Sequence, residues 1–119
     1  MELEVKQTVF STLINILKIE NDSLLNRHIF SESKFIGTTI RYGNWEGKGA
    51  TLEDLVDFIE NGYNILATID KKDNRNFEFV IPMNNLEKAK EILRNDYGID
   101  IKTKKQKVTF WIINRNNGQ

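Results

Sequence analysis

An α+β fold is predicted by three observations. Residues 52–61 carry apolar side chains at helical spacing, residues 76–81 alternate at strand spacing, and turn-forming residues separate segments of the two kinds. The 119 residues are 39% apolar and 29% charged, enough for one soluble domain with a real core.

The elements follow in order. In residues 5–19, VKQTVFSTLINILKI, Phe10, Leu13, Ile14 and Leu17 recur at helical spacing, widened by Val9 and Ile16. This predicts an N-terminal helix, although Glu2–Lys6 alternates like a strand and Thr8, Val9, Thr12 and Ile14 are β-branched. At Asn21-Asp22-Ser23 the chain stops and restarts, with Asp22 or Ser23 capping a short helix that carries Leu24, Leu25 and Ile29. Residues 34–42, KFIGTTIRY, read as a strand with Ile36 and Ile40 on one face. Residues 43–50, GNWEGKGA, read as a glycine-rich loop.

The helix at 52–61 is the clearest element. Leu52, Leu55, Val56 and Ile59 sit at i, i+3, i+4 and i+7, and Glu53, Asp54, Asp57 and Glu60 fill the other faces. Thr51 is its N-cap, with Asp54 placed for a capping box, and Gly62 is its stop. Residues 63–70 and 76–81 then form a hairpin through Lys71-Lys72-Asp73-Asn74, ended by Pro82, which cannot donate to a ladder. Asn84 and Glu87 open another helix, with Leu86, Ala89, Leu93 and Tyr97 as its buried stripe and Gly98 as its close. Residues 99–101 and 107–113 make a last hairpin. From 34 to 113 the order is strand, helix, strand, strand, helix, strand. That is the split βαβ, ferredoxin-like pattern, a four-stranded antiparallel sheet with both helices on one face. The chain is thus expected to be a single domain: an N-terminal helical addition (1–31) and a ferredoxin-like core (34–113).

Composition excludes several chemistries. With no cysteine there is no disulfide and no thiolate metal site, and His28 is the one histidine. No apolar run approaches the roughly 20 residues of a membrane span, and MELEVKQTVF is not a signal peptide, so a cytoplasmic protein without membrane contact is expected. Frequent Asn, Lys and Ile suggest an AT-rich genome, such as a low-GC bacterium or one of its mobile elements. Five of the 17 cations and none of the 17 acids lie in residues 101–119, so that segment carries +5 and the remainder −5. A uniformly basic nucleic-acid binder is excluded; a local basic patch is not.

Two peptides resemble the RNA recognition motif family. Lys34-Phe35-Ile36-Gly37-Thr38-Thr39 is similar to its first-strand hexapeptide, and Arg75-Asn76-Phe77-Glu78-Phe79-Val80-Ile81-Pro82 to its third-strand octapeptide. The resemblance implies that Phe35, Phe77 and Phe79 stack single-stranded bases while Arg75 meets a phosphate. Lys102, Lys104, Lys105, Lys107 and Trp111 would extend that surface. Glu78 stands where the octapeptide has a small residue. A second register meets this by turning Phe77, Phe79 and Ile81 into an apolar layer and Glu78 outward.

The glycine-rich segment fails the P-loop spacing, since three residues separate Gly43 from Gly47 and Gly49 follows Lys48. It serves instead as a connection or as a recognition loop, with Tyr42 and Trp45 as anchors between Arg41 and Lys48. Asp54 and Asp57 on the neighbouring helix complete that second surface. No nucleophile–base pattern, cofactor motif or metal-ligand spacing is present, so binding without catalysis is expected. The candidate partners are a nucleic acid, a host or other protein for which the chain is an adaptor or inhibitor, and a second copy in a homodimer.

Overall fold

The computed structural model describes residues 2–31 and 37–116, with side chains described for 11–31 and 37–107. The order along the chain is β1 (Glu2–Ile19), α1 (Asp22–Asn26), β2 (Gly37–Arg41), β3 (Asn44–Ala50), α2 (Leu52–Tyr63), β4 (Ala67–Ile69), β5 (Phe77–Pro82), α3 (Leu86–Tyr97) and β6 (Ile99–Asn116). The protein is α+β, with two small, mostly antiparallel sheets and three helices among the described residues.

The first sheet has the order β4-β1-β6. β1 and β6 are antiparallel over their full length, from Glu2 opposite Asn116 to Ile19 opposite Ile99. β4 joins β1 in parallel at Asn15–Leu17. The N-terminal helix expected at 5–19 is therefore a strand. Its β-branched residues fit a pleated surface better than a helix. Its ladder partner lies at the other end of the chain, where local periodicity cannot register it. The expected hairpin at 99–113 is likewise one continuous strand, held straight by β1 through the lysine-rich segment.

The second sheet has the order β2-β3-β5, antiparallel throughout. The segment expected as a glycine-rich loop is β3, its central strand. Tyr42 and Gly43 both take left-handed conformations (φ 53° and 77°) and reverse the chain at once, so residues 44–48 pair back on 37–41. The expected hairpin of residues 63–81 does not pair with itself: β4 lies on β1 and β5 on β3. A single four-stranded ferredoxin-like sheet is thus not what the hydrogen bonding gives.

The helices follow the sequence closely. α2 begins at Thr51 with the capping box in place: Thr51 N–H donates to Asp54 Oδ2 at 2.9 Å, and Asp54 N–H donates to Thr51 Oγ1 at 3.2 Å. It runs through Gly62 and ends at Asn64, which takes the left-handed conformation. α3 is capped by Asn85 rather than Asn84 and ends at Gly98 (φ 69°) as expected. α1 is capped by Asn21, not by Asp22 or Ser23 as expected: the Asn21 side chain accepts from Leu24 N–H at 3.1 Å, so Asp22 and Ser23 fall inside the first turn.

One core joins both sheets to the helices. Leu17 and Ile99 contribute from the first sheet, Trp45, Phe77, Phe79 and Ile81 from the second, and Leu55, Ile59, Leu93 and Tyr97 from α2 and α3. Burying each such side chain contributes about 1.5–3 kcal/mol. The molecule extends 60 × 30 × 27 Å with a radius of gyration of 18.5 Å. A compact chain of this length has about 13.5 Å. The excess is the β1–β6 ribbon, which continues past β4 as a two-stranded arm.

Candidate functional site

The β2–β3 hairpin presents the most exposed strand of the described molecule. Every residue from Gly37 to Arg41 is exposed, and among the described residues no strand pairs with the outer edge of β2. The turn explains how it is held out. Two successive positive φ angles match the right-handed twist of the flanking strands, the geometry of a tight hairpin. Gly43 accepts this freely. Tyr42 does so against its side chain's preference, and its ring is 93% exposed. Arg41 then clasps Glu46 across the hairpin, with Nε donating to Oε2 at 3.0 Å and Nη2 to Oε1 at 3.1 Å. That guanidinium holds the Glu46 carboxyl below the usual carboxylate range.

A groove of about 410 Å³ separates this hairpin from α2. Ile40 and Trp45 line it from the hairpin, Asp54, Asp57 and Phe58 from α2, and Met83 from just past the end of β5. Trp45 is stacked on Phe58, ring centroids 4.6 Å apart and planes 4° from parallel, with Phe79 behind at 6.1 Å. Ile40, paired opposite Trp45, is 65% exposed. The lip of the groove is acidic and its wall apolar. The other face of β2 carries a second depression beside Thr39, Arg41, Glu46 and Lys48.

Of the residues expected to contact a protein, Arg41, Tyr42 and Lys48 lie on this hairpin and Asp54 and Asp57 on the groove's acidic lip. Trp45 requires correction. It is a buried core residue, not an exposed anchor, because β3 is a central strand whose inward positions face α2. Ile40, Phe58 and Met83 went unmatched to any site in the sequence. Ile40 reads there as an ordinary inward residue of an alternating strand.

The residues expected to contact nucleic acid are dispersed. Phe77 and Phe79 are fully buried, so of the two registers the apolar-layer one is present, with Glu78 and Val80 outward. No base can stack on these rings. The reason is hydrophobic: burying two phenylalanines and Ile81 outweighs exposing them, and the same register keeps the Glu78 charge in water. Arg75 is engaged within the fold. It donates to Asp73 from Nε (3.0 Å to each carboxylate oxygen) and Nη2 (2.6 Å to Oδ2), and Nη2 also reaches Asp22 Oδ1 at 2.7 Å. Its guanidinium carbon stands 5.2 Å from the Phe77 ring centroid. These hydrogen bonds hold the Asp73 carboxyl below its usual range and push Arg75 up.

Lys102 meets Glu20 at 3.4 Å. Lys104, Lys105 and Lys107 are exposed on β6, but the register divides them. Lys105 and Lys107 share one face of the ribbon, while Lys102 and Lys104 share the other. Phe35 lies outside the described residues, as does the side chain of Trp111.

No family model, no curated protein and no solved structure matches this chain. The likeness to the RNA recognition motif therefore rests on short stretches of sequence and their expected order, with no support from these comparisons.

His28 is half-buried within the fold. Its Nε2 lies 2.7 Å from the Asp96 carbonyl oxygen, to which it donates, and its ring rests 4.2 Å from that of Tyr97. Among the described residues no three His, Asp or Glu side chains gather closely enough to hold a metal ion, and no helix is long and apolar enough to cross a membrane.

Proposed function

We propose that the protein is a non-catalytic binding module that recruits an extended segment of a partner protein along β2. The carrying observation is the edge itself, exposed at every residue and flanked by the outward Ile40 and Tyr42. An exposed edge offers unpaired backbone N–H and C=O groups as a template, and neighbouring pockets read alternate side chains of the added strand. Here the groove on the α2 side favours an apolar residue beside Ile40, followed by a cation for Asp54 or Asp57. Tyr42 supplies a large amphipathic contact at the end of the strand. This is the adaptor or inhibitor role, exercised in the cytoplasm on a host or neighbouring protein, with Tyr42 and Ile40 in place of Trp45 as anchors. Selection from a random linear peptide library tests it. The expected outcome is a consensus alternating apolar and basic residues, whose binding is lost in Ile40→Glu and Tyr42→Ala variants of unchanged melting temperature. Peptides that bind both variants as well as the parent would refute it.

A second reading keeps nucleic acid as the partner. It is favoured by the exposed Lys104, Lys105 and Lys107 on β6, and it requires phosphate contacts without a stacking platform. A gel shift with single-stranded RNA and DNA decides it. Affinity should fall steeply with salt, by a log–log slope of about 0.7 for each phosphate neutralised. Absence of binding at low salt ends this reading.

A further inference from the structure

We propose that the arm formed by β1 and β6 is a dimerisation element, in which β1 pairs antiparallel with β1 of a second copy across a two-fold axis at Thr8. The argument begins with what the arm lacks. A two-stranded ribbon is marginal in water by itself; three or more strands, or a packed face, give it independent stability. Beyond Asn15, where the pairing of β4 begins, β1 has no neighbour on its outer edge among the described residues. Yet stretches 2–14 and 104–116 carry large apolar residues at positions on both faces of the ribbon. Val5 pairs with Ile113 on one face, and Phe10 pairs with Val108 on the other.

The two edges of the arm differ in kind. The β6 edge bears Lys104, Lys105 and Lys107, a common guard against strand addition. The β1 edge from Gln7 to Ile14, QTVFSTLI, contains neither a charge nor a proline. It is the edge open to pairing.

Its length is self-complementary. The free stretch runs from residue 2 at the tip to residue 14, where β4 takes over. Antiparallel pairing centred on Thr8 sets Glu2 opposite Ile14 of the second copy, Leu3 opposite Leu13, Glu4 opposite Thr12, Val5 opposite Ser11 and Lys6 opposite Phe10. The added strand therefore ends where β4 begins. No charged residue stands opposite another. The tips, with Glu2 and Glu4, come to lie at the ends of the seam nearest the lysine-bearing base of the second arm. The product is one four-stranded sheet, β6-β1-β1-β6, closed by an isologous two-fold. The seam is roughly 40 Å long. The two strands of one arm fall within the roughly 20–30 residues that each side of a standard interface contributes.

The chain's lack of cysteine makes the test direct. The intact protein should sediment at twice 13.9 kDa. Thr8→Cys should oxidise to a covalent dimer, because directly opposed Cα atoms in an antiparallel pair stand about 4.5–5.5 Å apart, within disulfide reach. Leu3→Cys alone should not cross-link, but mixed with Leu13→Cys it should. Thr8→Lys should weaken the dimer about tenfold, and an equimolar mixture with Thr8→Glu should restore it. A parent protein that sediments as a monomer at about 100 μM, far above the micromolar range of specific interfaces, overturns the proposal. So does a dimer that Thr8→Cys fails to cross-link.

Discussion

Asn15 is only 7% exposed, in the middle of an otherwise apolar stretch of β1, and both ends of its amide are hydrogen-bonded. Nδ2 donates to the Leu66 carbonyl at 3.0 Å, and Oδ1 accepts from Thr103 Oγ1 at 2.8 Å. One side chain thereby ties β1 to the entry of β4 and to β6. Asn15→Ala would remove both side-chain bonds, although the Leu66 carbonyl keeps the Asn15 backbone N–H at 2.9 Å and Thr103 is exposed to water, and urea unfolding should show a loss of about 1–3 kcal/mol for the two bonds. Gly98 is as constrained. A Cβ there would run into the Asn21 carbonyl oxygen, at a left-handed φ of 69°. Gly98 O also accepts from the N–H groups of Glu20 and Asn21, joining the end of α3 to the start of α1. Gly98→Ala should cost at least about 1–2 kcal/mol from backbone conformation alone, with the clash in addition. The Arg75–Asp73 pair predicts a pH dependence. The folded carboxyl titrates below its unfolded value, so its contribution is complete above the usual aspartate range near pH 4 and is lost as pH falls through the lower folded value. Asp73→Asn should flatten the acid limb of a stability–pH curve from denaturant melts while leaving other carboxylates to titrate. At this scale much was legible beforehand. Thr51, Asp54 and Gly98 do what their types dictate locally. Arg75 declared only half of its role: Asp73 lies two residues away, but Asp22 comes near only through the fold.

The β2–β3 hairpin divides its aromatics between core and surface. Trp45 is sandwiched by Phe58 and Phe79, so Trp45→Ala should lower stability by about 3–5 kcal/mol, whereas Tyr42→Ala should change it by no more than about 0.5 kcal/mol. Thermal melts of the two variants check both numbers, and equal losses would contradict the placement of the rings. Phe79→Ala should behave like Trp45→Ala. A loss of nucleic-acid binding without loss of stability would instead have marked Phe79 as a platform. The register of β5 was readable because alternation is strict there and one choice buries a carboxylate. β3 was not. Its glycines have the composition of a loop, and only a tight turn ahead of it and partner strands on both sides make them part of a sheet. β1 was misjudged for a related reason. Apolar residues on both faces of a strand can also fall at i, i+3, i+4 and i+7, and the period alone does not distinguish the two.

For the molecule as a whole, the pairings that matter are distant in sequence. Residue 2 meets 116, and residues 15–17 meet 67–69. Loop closure must precede every hydrogen bond of the first sheet, so folding should fall in the slow class, milliseconds to seconds, rather than the microseconds of local helical folds. Stopped-flow refolding measures this, and a microsecond phase carrying the full amplitude would conflict with the topology. The charge asymmetry also takes a meaning at this scale. The +5 segment visible in the sequence is no compact patch. β6 spreads its lysines along an arm and over two faces, which suits an edge kept from promiscuous pairing as well as it suits phosphate contact.

What the amino-acid order settled by itself was local: α2 with its Thr51 capping box, α3 with its Gly98 close, and the absence of thiol chemistry; for Phe77, Phe79 and Ile81 it offered the inward register as one of two. These depend on interactions within a few residues and on a strong preference for burying phenylalanine. The tertiary structure alone decided which strands became neighbours. It made β1 a strand instead of a helix, drew β4 and β5 into different sheets, put Trp45 in the core and left Ile40 and Tyr42 outside. Those outcomes depend on backbone hydrogen bonds and packing between distant segments, whose energies are realised only once the chain has closed on itself.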